Sequence, residues 1–419
     1  MNVTGKKNRW YIIVLLIVAG ESVFILPFVL ARIFRPTFLA AFVLTNLQLG
    51  YCFSIYGFVA LASYLFGGVI ADKIQPRKLM AIALWLTALG GLVLASYPNY
   101  TTLKVLYGYW GFTTIFLFWA AMIKATRIWG GTTSQGKAFG FLDGGRGLVA
   151  ALFGSLGVLI FSFFIDAEIA ETSITQREEA FSYVILVSSA IVAVVGIFVY
   201  FLLKLKEVEV SEEIKNIHTK ENFRKVLKLP AVWLLMIIIL CAYVGYKITD
   251  VFSLYASDVM GYSEVDAAKT GTYLLYIRPV VGLLIGFLAD RSRPSVYLVG
   301  GFAFSIIGSL IYASGIIGPD MNFVFLMSIF ITALGIYSAR VLYFAVLREG
   351  KIPLAITGTA VGVISFIGYT PDIFAGPMMG VLLDDYPGEL GHQYVFLILA
   401  IFALVGLVAS FIFMRLARR

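Results

Sequence analysis

Residues 67–78 read GGVIADKIQPRK, and residues 285–296 read IGFLADRSRPSV. Aligning Ala71-Asp72 with Ala289-Asp290 sets an offset of 218 residues. A second pair of segments, GKAFGFLDGGRGLVA at 136–150 and GTAVGVISFIGYTPD at 358–372, echoes at an offset of 222. Two matches at nearly one offset, in corresponding places, divide the chain into two similar halves. Paired repeats with a midplane site between them suit alternating access across a membrane.

The composition supplies that membrane. Of 419 residues, 60% are hydrophobic and 13% charged, and the mean hydropathy is +0.92. A soluble protein of this size needs far more polar surface. A spanning helix takes ~20 apolar residues, and roughly 30 residues per span with its loop fit about twelve spans. Apolar runs place them near 10–33, 39–71, 77–97, 102–126, 138–164, 180–203, 230–257, 265–289, 295–317, 322–346, 353–383 and 391–415. The predicted fold is an all-α membrane protein: twelve transmembrane helices in two pseudo-symmetric six-helix bundles, 1–203 and 230–419. The one long polar segment, 204–229 (KLKEVEVSEEIKNIHTKENFRKVLKL), reads as an amphipathic or flexible cytoplasmic linker. No cleavable leader pattern precedes the first span, which reads as a retained helix.

The net charge of +8 is placed by topology. With the N-terminus inside, 22 Lys and Arg fall on inner segments, 5 on outer ones and five within spans. This asymmetry sets both termini and the linker in the cytoplasm, as for a bacterial plasma membrane protein, and argues against nucleic acid as partner. Cys52 and Cys241 are isolated on apolar stretches, and His218 and His392 lie far apart, so neither a disulfide framework nor a metal site is indicated. The sequence carries no nucleophile elbow, metal-binding His-Glu helix or Walker loop, so the expectation is a carrier without cofactor, not an enzyme or ATP-driven pump. A monomer is expected.

Charge inside spans is costly and marks function or a partner. Glu21 lies about eleven residues past Trp10, ~16 Å along the helix and near the bilayer middle, where a carboxyl could take up and release a proton. Asp143 and Arg146 share a helix face, so Arg146 either forks onto an anionic group or pairs with Asp143, which could release it on protonation. Lys124 could touch solute or snorkel to the interface, and Arg127 reads as a boundary charge. In AYVGYKITDVF, Tyr243, Tyr246, Lys247 and Asp250 make one polar face; the Tyr rings can stack and Lys247 can hold an anion or pair with Asp250. Arg278 and Arg340 could bind anion or brace the second half. Asp372 follows Pro371 in a broken-helix pattern that suits a cavity, and is a third candidate proton carrier. The Gly140, Gly144, Gly147 and Gly154 face reads first as close helix packing.

The loop Gly67–Lys78 and its copy at Gly286–Arg293 resemble the signature loop of the major facilitator superfamily. That resemblance implies the two-bundle fold and inner-gate ion pairs involving Asp72, Arg77, Lys78, Asp290 and Arg291. A finer resemblance is to the organophosphate and organic-anion (anion:cation symporter) branch. Trp119 with Lys124 five later, a turn and Gly136 is similar to that branch's fourth-to-fifth span pattern. Asp143 and Arg146 fall where its phosphate antiporters place an Asn-x-x-His pair, and Tyr243, Tyr246 and Lys247 near its seventh-span Tyr and Arg. Where those antiporters carry a first-span Arg, the sequence has Leu26-Pro27, which weighs against sugar-phosphate exchange. The leading expectation is proton-coupled uptake of a small organic anion (sugar acid, carboxylate or sulfonate), with Arg146 and Lys247 holding the anion from opposite halves. The alternatives are an exchanger for phosphorylated compounds, a multidrug efflux carrier, and a transporter-like receptor.

Overall fold

The computed structural model describes residues 10–130, 135–164, 174–205, 219–343, 345–347, 349–352 and 357–418. Among them there is no strand. Twelve helical stretches are long and apolar enough to cross a membrane. They run Trp10–Ile33, Asn46–Tyr64, Pro76–Ala95, Tyr100–Gly130, Gly140–Ser162, Thr175–Leu202, Pro230–Asp258, Glu264–Ala289, Pro294–Ala313, Asn322–Leu342, Ala360–Asp385 and Glu389–Arg418, and are numbered here as spans one to twelve.

Local chemistry sets the breaks. Three spans restart on a proline, at Pro76, Pro230 and Pro294, where the missing N–H costs nothing. Span one widens to a π-helical turn over Ile25–Val29, which contains Pro27 and absorbs its missing hydrogen bond. Span four has a π-helical stretch over Phe112–Trp119, where the Thr114 hydroxyl donates back to the Trp110 carbonyl at 2.7 Å. Span two begins at Asn46 rather than near 39. Pro36 starts a separate short helix, Arg35–Ala41, and the chain then turns through Val43 at φ 51°. Span eleven is two helices, Thr357–Gly368 and Pro371–Asp385, divided at the Pro371-Asp372 pattern.

By packing, the chain falls into two compact units. One holds the described residues of Met1–Ala31, Phe58–Asp166 and Thr172–Glu209; the other holds those of Arg32–Gly57 and Val210–Arg419. The first unit therefore lacks the end of span one and the start of span two, which pack with spans seven to twelve. Glycine permits that packing: a Cβ on Gly50 would lie 2.5 Å from the Gly376 carbonyl carbon. The Asp384 carboxylate then accepts the first backbone N–H groups of span two, from Asn46 at 2.9 Å and Leu47 at 2.7 Å. Those N–H groups have no partner within the helix, and a carboxylate there also meets the positive end of its dipole.

Candidate functional site

Among the described residues, each unit buries a cluster of charge. In the first unit, Arg146 of span five is 9% exposed and Glu21 of span one 4%. The Arg146 Nε donates to Glu21 Oε2 at 3.0 Å. Its guanidinium carbon lies 5.3 Å from the Phe24 ring centroid and 5.6 Å from that of Trp119, and those rings meet edge to face. Gly20 makes room for this arm: a Cβ there would come within 2.8 Å of Met122 Sδ and 3.3 Å of Arg146 Cδ. The partner of Arg146 is thus Glu21, 125 residues away, and not the intrahelical Asp143 that helix spacing alone suggests. Asp143 is half-buried.

The second unit gathers its charge around Tyr246 of span seven. Three guanidinium carbons lie near that ring's centroid: Arg340 at 3.7 Å, Arg32 at 4.7 Å and Arg278 at 5.9 Å. Arg32 also donates from Nη1 to the Tyr246 hydroxyl at 3.0 Å and from Nε to Asp250 Oδ1 at 2.5 Å. Lys247 lies 3.1 Å from Asp372 Oδ1, and the Tyr243 hydroxyl donates to the same carboxylate at 3.1 Å. Tyr243 stacks on Tyr246, meets Tyr369 edge to face and lies 5.6 Å from the Arg340 guanidinium carbon. Asp372 sits in the first turn of its helix, where the dipole favours a carboxylate. Lys247, Arg32, Arg278 and Asp250 are all at most 4% exposed. Among the described residues this cluster holds four cations (Arg32, Lys247, Arg278, Arg340) and two carboxylates (Asp250, Asp372).

The geometry thus brings together Tyr243, Tyr246, Lys247, Arg278, Arg340 and Asp372 in one unit, and Glu21 and Arg146 in the other. Lys124 has a backbone partner. Its ammonium donates to the Ala71 carbonyl at 2.8 Å, near the C-terminus of the helix Asn46–Lys73, where a cation meets the negative end of the dipole. Of the loop residues, Arg77 donates to the Gln75 side chain at 3.1 Å, Lys78 is exposed, and Arg291 lies over the Phe287 ring at 4.0 Å. The side chains of Asp72, Asp290 and Arg127 lie outside the described residues.

Sequence reading missed Arg32, which pairs with Asp250 218 residues away and leaves Lys247 to Asp372. A signal existed. Arg32 and Arg35 flank the end of span one on the side where the charge rule predicts few cations. An exception to that rule calls for a partner, and each has one: Asp250 for Arg32, and Asn46 Oδ1 for Arg35 at 2.9 Å.

Residues 10–376 match the family model described as Major Facilitator Superfamily. The chain is 28% identical over 417 residues to the inner membrane protein YihN of Escherichia coli K12, covering 96% of this chain and 95% of that protein. It is 26% identical to the inner membrane protein YqcE of the same organism, with 98% and 95% covered. Among solved structures, a bacterial homolog of the human lysosomal transporter Spinster, inward-facing and occupied, matches with a TM-score of 0.75 at 17% identity over 98% of both chains. A point mutant of the nucleoside transporter NupG matches at 0.71 and 15% identity, over 97% of this chain and 99% of that one.

Proposed function

We propose, on the premise that the chain belongs to the Major Facilitator Superfamily, that this membrane transporter takes up a small organic anion together with protons. The observation that carries the reading is the gathering of three guanidinium groups, Arg340, Arg32 and Arg278, around the Tyr246 ring, with Lys247 in the same cluster. Buried cations gathered in one place attract a solute of opposite charge. Arg340 and Arg278 present guanidinium groups whose donor forks match a carboxylate, sulfonate or phosphate. The Tyr243 and Tyr246 rings offer apolar faces for the rest of the solute, such as a sugar ring.

Proton coupling is assigned to the carboxylates that hold cations in place. Protonating Asp372 frees Lys247 to meet the anion, and deprotonation draws it back. Glu21 does the same for Arg146 in the first unit. Each is a buried pair in which a proton competes with a cation for one carboxylate. Lys124 serves as a helix-end anchor, and the 67–78 loop and its copy serve the inner gate. Solute and protons cross as a monomer in the cytoplasmic membrane alternates access.

The test is uptake into proteoliposomes loaded with buffer alone. Sugar acids, sulfonates, sugar phosphates and inorganic anions are screened with and without an inward proton gradient. Accumulation of one anion class driven by the gradient is expected; no anion movement under any condition overturns the reading. Glu21→Gln is expected to abolish gradient-driven accumulation while counterflow exchange persists, and retained accumulation would move the coupling elsewhere.

A further inference from the structure

The helix Thr219–Leu227, TKENFRKVL, lies outside the transport clusters. It is held on the second unit by Val226, which is fully buried, and by Leu227 and Leu229 at the edge of that unit's core. At 100° per residue, Phe223, Val226 and Leu227 share one arc. Arg224, Lys225 and Lys228 share the other, and all three are exposed. The turn continues past Leu227, since Lys228 N–H donates to the Lys225 carbonyl and Leu229 N–H to that of Val226. Phe223 is 48% exposed and Trp233, in the first turn of span seven, 53%. The Trp233 indole N–H donates to the Leu227 carbonyl at 2.8 Å, which holds the ring across the junction between helix and span.

Chain length fixes the depth of this helix. Only Lys228 and Leu229 separate it from Pro230, the first residue of span seven. The three Cα–Cα steps from Leu227 to Pro230 reach at most ~11 Å, so the helix stays at the level where hydrocarbon gives way to headgroups. A helix with one apolar and one cationic arc lies in that interface, and an exposed indole prefers the same level. Basic side chains there meet the phosphates of anionic lipids.

We infer that Arg224, Lys225 and Lys228 form a binding surface for anionic phospholipid headgroups, with Phe223 and Trp233 set into the acyl boundary. Arg224 and Lys228, four residues apart, flank one phosphodiester. Because Val226 plugs the helix into the second unit's core, lipid held here stabilises that unit. The surface is independent of which solute is carried.

The experiment measures the thermal unfolding midpoint of the purified full chain with added phosphatidylglycerol, phosphatidylcholine or free glycerol phosphate. Phosphatidylglycerol is expected to raise the midpoint, and added salt to diminish the rise. The combined variant R224Q, K225Q and K228Q is expected to lose most of it, while R415Q with R418Q, at the end of span twelve, keeps it. An equal rise with phosphatidylcholine or glycerol phosphate overturns the proposal, as does a full rise in the triple variant or an equal loss in the span-twelve variant. Photoactivatable phosphatidylglycerol on the wild-type chain keeps the test open if the triple variant fails to fold. Crosslinks between residues 223 and 233 are expected, and crosslinks confined elsewhere overturn it.

Discussion

The two units bury charge on opposite principles. In the first, Glu21 and Arg146 balance one to one, boxed by Phe24 and Trp119. In the second, among the described residues, three guanidinium groups crowd one tyrosine ring, with Lys247 and the carboxylates of Asp250 and Asp372 beside them. On the proposed reading a proton opens the pair and an anion enters the cluster, and the contrast can be broken or sharpened by substitution.

The largest effect is expected at Arg32 and Asp250. Removing one partner of a buried ion pair leaves an uncompensated charge and costs about 3–5 kcal/mol. Arg32→Met alone leaves Asp250 stranded and should lower the thermal midpoint sharply. Arg32→Met combined with Asp250→Leu should recover most of that loss, as replacing both members by packed apolar groups is often neutral. A double variant as unstable as the single one would show that Arg32 supports Tyr246 more than it serves Asp250.

Next comes Arg340→Ala. A charge-assisted hydrogen bond is worth about 1.5–3 kcal/mol, so affinity for the transported anion should fall about tenfold to a hundredfold. Binding calorimetry on the reconstituted carrier checks it, and unchanged affinity would make Arg340 a brace. The smallest effect is expected for Tyr243→Phe. It removes a hydroxyl that donates to Asp372 but keeps the ring, costing about 1 kcal/mol. Anion affinity should fall a few-fold in the same calorimetry, and unchanged affinity would take the Tyr243 hydroxyl out of the site.

The fold was legible because hydropathy is local. Each span announces itself within ~20 residues, and the two 218-apart loops show the duplication. The break in span eleven was legible for the same reason, since Pro371 writes it into the backbone. Much of the second cluster was legible too: Tyr243, Tyr246 and Lys247 sit on one helix face, and Arg278 and Arg340 are charges set deep in apolar spans. The pairings were not legible. Helix spacing offers Arg146 the nearby Asp143 and offers Lys247 the nearby Asp250, yet the fold gives them Glu21 and Asp372. Those choices depend on which helices approach closely, and that depends on small residues such as Gly20 that leave no signature of their own. Arg32 escaped because it stands at a span's last turn, where a cation ordinarily needs no explanation.

The separation of Arg32 and Asp250 is itself informative. They lie 218 residues apart, the same offset that superposes the two copies of the loop at Asp72 and Asp290. Arg32 therefore meets its own counterpart in the duplicated sequence. A position that faces its copy is the one place where a perfect duplicate cannot satisfy itself: two arginines or two aspartates there would repel. Attraction requires the copies to have diverged at that site. Exchanging the two residues, Arg32→Asp with Asp250→Arg, should restore the pair while moving a cation from one copy to the other. Stability can then be separated from function at a single self-facing position.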